Sequence, residues 1–281
     1  MRDAAETGWE GAMSQGDGNG PDLSLPASMF RSGPVEAVDV AVVRRGAAEW
    51  TERRASMLGE DLILEGDIRV SPAQVQGPDG RGISVAGDGA ARGIGTTGQL
   101  WPGGRVPYEI NGADPDTVAA AIAHWRAHSP FRFEPKTDAD NDFISFEDQG
   151  ACWSHVGRIG GYQPVSLAFG CTVGSAVHEI GHLLGLWHEQ SRSDRNTFVT
   201  VVTANIEEDQ LHNFDQHTVD GRDLGAYDYG SIMHYPPKAF SKNTEDTIVP
   251  TSPGVQIGQR LGLSPGDIAA VRALYPTLGW P

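Results

Sequence analysis

The chain has 281 residues, 39% of them apolar, and a formal net charge of −16 at pH 7. Such an acidic chain lacks the basic patches that bind nucleic acid or anionic membranes, so neither is predicted as a partner. No run approaches the ~18 apolar residues of a membrane span, and the length allows one large core or two smaller ones.

The first third of the chain has few patterns typical of a folded core. Residues 1–33 are rich in Gly and Asp and predict a disordered tail, without the basic-then-apolar pattern of a secretory signal. Residues 37–58 have some apolar periodicity and predict a helix, whereas residues 62–72 alternate like a strand. The glycine-rich stretch from Gly77 to Gly98 is typical of a linker.

Regular elements follow from residue 106 onwards. Residues 116–129 predict a helix with Asp116 as its N-cap, and residues 264–276 predict the last helix. Between them the sequence predicts a long helix after position 171 and several strands, at residues 106–110, 131–135, 141–147 and 153–159. This order of elements predicts an α+β domain.

Three histidines fall within the stretch HEIGHLLGLWHE, from 178 to 189. His178 and His182 are four residues apart and therefore lie on one face of a helix. His188 would leave that face if the helix continued, but Gly185 can adopt a positive φ and turn the chain back. Three imidazoles that converge on one point predict a zinc site with an open fourth position, as in catalytic zinc centres.

An ordinary buried helix is the alternative, because the residues between the histidines are apolar. Burying three histidines and a glutamate without a metal would leave several polar groups without partners, at a large cost in free energy. Glu179 could instead be an exposed carboxylate in an ion pair, but Leu183, four residues on, is not a cation. The zinc interpretation is favoured, with Glu179 as the general base that takes the proton from an attacking water.

Three stretches together resemble the astacin family of zinc endopeptidases: HEIGHLLGLWHEQSRSDR, the later SIMHY, and the earlier CWSHVGRIGGYQPVSLAFGC. The motif HExxHxxGxxH followed by a methionine turn is the signature of the metzincin clan, to which this family belongs. The resemblance covers residues 92–276. It implies a metzincin catalytic domain over 92–281, with a mixed twisted sheet and a long active-site helix in its N-terminal half. Two subdomains, 92–188 and 189–281, would flank a zinc cleft.

The resemblance also implies roles for residues beyond the three histidines. Tyr235 corresponds to a tyrosine that is a fifth zinc ligand at rest and swings away to hydrogen-bond the transition state. Met233 corresponds to the methionine that forms an apolar floor beneath the histidines without binding zinc. Glu189 corresponds to a glutamate that contacts, through water, the amino terminus created by activation.

The segment from 152 to 156 is implied to form the upper edge of the cleft. There Cys152, Trp153, Ser154 and His155 would pair with an extended substrate as an added antiparallel strand. His155 stands where the best-known members have tyrosine, which predicts a pH-sensitive unprimed side.

The two cysteines, Cys152 and Cys171, match one of the two disulfides typical of the family. The alternative is a pair of buried free thiols. A disulfide implies an oxidising compartment, and hence a secreted protein. The second family disulfide has no cysteines here, so the C-terminal tail must be held by packing alone.

Upstream of the catalytic domain, residues 34–91 are predicted to be a pro-segment with a linker. The stretch LEGD, Leu64 to Asp67, resembles the latency motif F-x-G-D, with leucine where the family usually has phenylalanine. It implies that Asp67 binds the zinc and displaces the catalytic water, although a surface turn is the alternative. Activation by another protease is expected around Ala91 to Gly93.

The sequence therefore predicts a monomeric zinc endopeptidase with one catalytic Zn²⁺, which acts on proteins or peptides and is made as a latent precursor. The alternative is an inactive protein-binding module on an astacin scaffold. Intact catalytic positions disfavour that alternative. A zinc enzyme acting on something other than peptides has no supporting feature.

Overall fold

The computed structural model describes residues 37–43, 50–58, 61–70, 100–218 and 221–280. The predicted tail, residues 1–33, and the predicted linker, from Gly77 to Gly98, lie outside these ranges. Among the described residues, no helix is long and apolar enough to cross a membrane.

The upstream residues form a four-stranded antiparallel sheet, in the order β1-β2-β3-β4. The predicted helix over 37–58 is wrong, because β1 (Ala37–Val43) and β2 (Trp50–Leu58) pair along β1's full length. In AVDVAVV, β-branched valines occupy every second position, which suits a strand better than a helix.

The single strand predicted over 62–72 is a hairpin instead. Strand β3 (Asp61–Leu64) turns into β4 (Ile68–Val70), and the turn consists of Glu65, Gly66 and Asp67. Glu65 and Gly66 both have positive φ, at 48° and 77°. The residues of the LEGD motif are therefore at the tip of a hairpin, where side chains can project away from the sheet.

A five-stranded sheet begins the catalytic region, in the order β6-β5-β7-β9-β8. Its strands are β5 (Arg105–Asn111), β6 (Arg132–Pro135), β7 (Phe143–Glu147), β8 (Cys152–Trp153) and β9 (Tyr162–Leu167). All neighbouring pairs are parallel except β8 with β9. The strand predicted over 153–159 was placed too far along, and β9 was not predicted.

Two helices contribute to the core behind this sheet. Helix α1 (Pro115–His128) is capped by Asp114, whose side chain accepts a hydrogen bond from the Thr117 N–H. The predicted cap, Asp116, is wrong because Pro115 takes the first helical position, where a missing N–H costs nothing. Helix α2 (Val173–Leu183) begins with a capping box. The Trp125 indole N–H on α1 donates to the Val177 carbonyl on α2, at 3.0 Å.

The rest of the chain is mostly loops and short 3₁₀ turns around a second apolar cluster. It contains the pair β10 (Val199–Val201) and β11 (Ile248–Pro250), and helix α3 (Pro265–Leu274). The C-terminal tail is held by packing, as predicted, because Trp280 and Tyr275 contact the Phe131 ring edge-on. The α+β fold class is confirmed.

Candidate metal centre

Helix α2 ends in a way that brings three histidines together. Gly185 follows the helix with φ 107°, and its N–H donates to the His182 carbonyl at 2.8 Å. The positive φ turns the chain back, as predicted, so that His188 returns to the helical pair. The imidazole centroids lie 4.7 Å apart for His178–His182, 4.7 Å for His182–His188 and 5.3 Å for His178–His188.

Each imidazole is oriented by a hydrogen bond from its Nδ1 atom. His178 Nδ1 donates to the Ile232 carbonyl at 2.8 Å, and His182 Nδ1 donates to the Leu186 carbonyl at 2.7 Å. His188 Nδ1 donates to the Glu65 carboxylate at 2.7 Å. The three Nε2 atoms are left to point at a common centre, which is how metal-binding histidines are usually arranged.

Asp67 reaches the same centre from the hairpin tip. Its carboxylate oxygens lie 3.2 Å from the Nε2 atoms of His178 and His188, and 3.6 Å from that of His182. Ligand atoms of these four buried residues all lie within 4.8 Å of one another. Among them, Asp67 Oδ1 and His182 Nε2 are buried without a hydrogen-bond partner. A cation would satisfy both atoms, and three imidazoles with one carboxylate fit zinc.

A methionine and two charged residues complete the floor of this centre. A Cβ on Gly181 would lie 2.6 Å from Met233 Sδ, so only glycine lets the sulfur pack against α2. Asp267 accepts hydrogen bonds from the Ser231 hydroxyl and the Ile232 N–H. The partly buried Arg260 donates to the Ile232 carbonyl at 2.7 Å, the same oxygen that His178 contacts.

Arg260 was not among the predicted site residues. Burial lowers the pKa of its guanidinium to about 10, and neighbouring carboxylates, including Glu179, oppose this. Its position reflects a contact between distant parts of the chain, and no local pattern could have indicated it.

Glu179 follows the first histidine and is 1% exposed. Its Oε2 atom has no hydrogen-bond partner. Burial, and then the charge of Asp67, raise the pKa of its carboxyl well above the ordinary value. The side chain is thus not engaged in the surface ion pair that was the alternative interpretation.

Tyr235 lies beside the histidines, with its ring centroid 4.5 Å from that of His188. Its hydroxyl donates to the backbone carbonyl of Glu65, and burial raises its pKa well above the ordinary value. The hairpin therefore engages the hydroxyl that the family resemblance assigns to the metal at rest.

Glu65 and His217 are buried contacts that the sequence did not predict as site residues. The Glu65 carboxylate is paired with His217 Nε2 and also accepts the hydrogen bond from His188. Burial alone would raise the pKa of Glu65, but His217 and His188 together lower it well below the ordinary value. Glu65 stands beside the glycine of LEGD, and its acidic side chain there was only a weak indication of a site residue. Nothing in the sequence indicated His217.

The edge of the sheet next to β8 is occupied by the same hairpin. The Ser154 N–H donates to the Asp67 carbonyl at 3.0 Å, and the Arg69 N–H donates to the Ser154 carbonyl at 2.9 Å. Ile68 thereby pairs with Ser154 in parallel orientation. The predicted disulfide joins Cys152 to Cys171 and ties this edge to the start of α2.

His155 is buried next to this pairing. Burial, and then the positive charge of Arg69, lower the pKa of His155 to about 3. With the hairpin in place, the imidazole is therefore neutral between pH 5 and pH 8. The predicted pH sensitivity therefore does not apply to this arrangement.

Glu189 is largely buried between the metal centre and the methionine turn. It accepts a hydrogen bond from the Asp228 N–H at 2.7 Å and lies 3.6 Å from Arg192 Nε. Burial raises the pKa of its carboxyl to about 8, despite the charge of Arg192. The predicted contact with a new amino terminus involves residues outside the described ranges.

Comparison with known proteins agrees with this geometry. The sequence model of the family described as Astacin (Peptidase family M12A) matches residues 94–276. Zinc metalloproteinase nas-13 of Caenorhabditis elegans is 43% identical over 182 residues, which are 62% of this chain and 40% of the relative. Zinc metalloproteinase nas-8 of Steinernema carpocapsae is 33% identical over 235 residues, 80% of this chain and 54% of the relative.

One solved structure is similar over most of its length. High choriolytic enzyme 1, a hatching enzyme zinc-protease from Oryzias latipes (medaka fish), is 38% identical with a TM-score of 0.58. The match covers 63% of this chain and 92% of that one. The chain spans about half or less of the length of the curated relatives.

Proposed function

Because the chain belongs to the astacin family, we propose that it is a zinc-dependent endopeptidase, made as a precursor that the hairpin of residues 61–70 keeps inactive. The observation that carries this proposal is the convergence of three imidazole Nε2 atoms and the Asp67 carboxylate on one buried point. Glu179 stands beside that point with a carboxylate oxygen that has no hydrogen-bond partner.

The proposed metal ligands are His178, His182 and His188, with Asp67 in the position that a water would take in the active enzyme. Zinc, when bound, supplies a Lewis acid that lowers the pKa of a water molecule and polarises the substrate carbonyl. In the proposed reaction Glu179 takes a proton from the attacking water and returns it to the leaving amine.

Tyr235 is proposed to stabilise the oxyanion that forms during this attack. In the latent arrangement its hydroxyl donates to a peptide carbonyl oxygen, that of Glu65. A substrate carbonyl oxygen is the same type of acceptor, and its hydrogen bond strengthens as negative charge develops. Once the hairpin had left, this hydroxyl could bind the zinc at rest, as the family resemblance implies.

Substrate is proposed to bind along the edge that the hairpin now occupies. Ser154 offers one donor and one acceptor there, and both are used by Asp67 and Arg69. An extended peptide can pair with the same two groups as an antiparallel strand, with Cys152, Trp153 and His155 flanking it. Substrate and hairpin would therefore compete for one site.

We propose 34–91 as the pro-segment and 92–281 as the catalytic domain, with cleavage around Ala91 to Gly93 by another protease. The alignment with nas-8 supports an upstream segment, because 80% of this chain is more than 92–281 can supply. The new amino terminus is proposed to reach Glu189. Secretion, supported by the disulfide, and a monomeric state complete the proposal.

Peptide hydrolysis by three proteins tests the proposal: the full chain, its Asp67→Ala variant, and the full chain after limited proteolysis. We expect the first to be inactive and the other two active, with activity lost on chelation and restored by zinc. Full activity in the uncut wild-type chain would contradict latency, and no activity in any of them would contradict the peptidase function.

A further inference from the structure

Arg69 lies in strand β4 of the hairpin, and its side chain contacts the edge of the sheet where substrate is proposed to bind. Its guanidinium carbon is 4.7 Å from the centroid of the Trp153 ring. Trp153 is only 3% exposed in this arrangement. A guanidinium over a tryptophan face at this distance is a cation–π contact, and tryptophan is the aromatic residue that binds cations best.

A carboxylate stands on the same face of the sheet. Trp153 on β8 and Glu147 on β7 are both paired in register with Ser166 on β9. Residues directly paired across strands point to one face, so their Cα atoms are about 10 Å apart, with small Ser166 between them. That face is opposite to the core, because the neighbours of Ser166 along β9, Val165 and Leu167, are core residues.

Glu147 is partly buried and held in place by two donors. It accepts hydrogen bonds from the Tyr162 hydroxyl and, at 2.6 Å, from Gln149 Nε2. These hydrogen bonds lower the pKa of its carboxyl against the effect of burial, and the charge of Arg69 lowers it further. Glu147 therefore stays ionised at neutral pH, and both of its donors belong to the catalytic region and remain when the hairpin leaves.

We propose that Trp153 and Glu147 form a subsite for a cationic substrate side chain, arginine or lysine, which Arg69 fills in the latent chain. The proposal rests on the peptidase function proposed above. In the parallel hairpin, Arg69 follows the residue opposite Ser154 and so lies beside His155. An antiparallel substrate runs the other way along β8. The substrate residue opposite His155 therefore comes just before the residue opposite Ser154, and it lies on the unprimed side of the scissile bond.

Matched pairs of peptides test the subsite, one pair for each of the three positions before the scissile bond. Within a pair, one peptide has arginine at that position and the other has citrulline, its neutral counterpart. The full chain, activated by limited proteolysis, is the enzyme. At one position we expect kcat/KM to be about three- to tenfold higher for arginine, since citrulline loses both the cation–π contact with Trp153 and the attraction to the Glu147 carboxylate. This ratio should fall as salt screens the carboxylate.

Glu147→Gln should lower the ratio to the part that the Trp153 ring alone supplies, mainly by slowing hydrolysis of the arginine peptide. Glu134→Gln is the matched control, because it removes the same charge from β6 at the opposite edge of the sheet. Equal rates for both peptides in the wild-type enzyme, or an unchanged ratio in Glu147→Gln, would overturn the subsite while peptidase activity stands. Absence of hydrolysis of either peptide would overturn the proposed function and the subsite with it.

Discussion

Latency should depend on Glu65 as well as on Asp67. Glu65 and its partner His217 each have a side chain only 4% exposed, so their contact is a buried pair. Removing one member of a buried ion pair typically costs about 3–5 kcal/mol. In Glu65→Ala that cost falls on the latent state alone, since His217 regains contact with water when the hairpin leaves.

A loss of about 3 kcal/mol, at about 1.4 kcal/mol per factor of ten, raises the open fraction of the chain about a hundredfold. The assay is peptide hydrolysis by the uncut chain, divided by that of the same variant after activation, so effects on catalysis cancel. Asp67→Ala provides the upper limit of the ratio.

His217→Asn should raise the same ratio, and the double variant Glu65→Ala/His217→Asn should raise it by less than the two single effects combined. Residues that act through one contact are not additive, typically by 0.5–3 kcal/mol. Ratios at the wild-type level in both single variants, or fully additive effects, would refute the reasoning that the pair holds the hairpin.

Glu179→Gln should keep zinc and fold but lose nearly all hydrolysis, because an amide cannot accept the proton; more than about a tenth of wild-type turnover in the activated, zinc-loaded variant would contradict the role. Tyr235→Phe should lower kcat by about 10²–10³ with little change in KM, which steady-state kinetics would show; a raised KM with unchanged kcat would count against it. Gly181→Ala should lower the thermal midpoint and the affinity for zinc, since its Cβ would lie 2.6 Å from the Met233 sulfur. Calorimetry measures the midpoint and chelator competition the affinity, and unchanged values of both would contradict the packing argument. His155→Tyr should alter the kcat/KM profile of the activated enzyme between pH 5 and 8, because departure of the hairpin would reduce the burial and remove the Arg69 charge that lower the His155 pKa. Identical profiles for the activated wild type and variant would end that idea.

Local sequence patterns predicted the parts of this fold that local forces decide. Helices α1 and α3 were predicted, although the N-cap of α1 was placed two residues late at Asp116, and the zinc helix was predicted from the spacing of His178, His182 and Gly185. The helix predicted over 37–58 was wrong because the apolar periodicity of the whole stretch hides the shorter period within AVDVAVV, where valines occupy every second position. Strand β9 was missed although it is an interior strand that pairs with β7 and β8, because YQPVSL contains a proline and resembles a loop.

Contacts between distant segments were beyond a single sequence. Glu65 and His217 are 152 positions apart, and Arg260 reaches Ile232 from another loop. A glutamate in a turn and a histidine in a loop are ordinary surface residues by composition. Only the fold shows that they are buried against each other, next to a metal site whose own residues were recognisable.

The proposed inhibition by the hairpin and the proposed binding of substrate use one edge of the sheet in opposite directions. Ile68 pairs with Ser154 in parallel orientation, whereas an antiparallel substrate would run the other way along β8. Because the direction is reversed, the hairpin presents the Asp67 side chain to the three histidines, and a substrate would present a peptide carbonyl. In the proposed latent state the hairpin uses the hydrogen bonds of Ser154 and the face of Trp153 without offering a bond to be cut, so we expect its removal to require cleavage elsewhere in the chain.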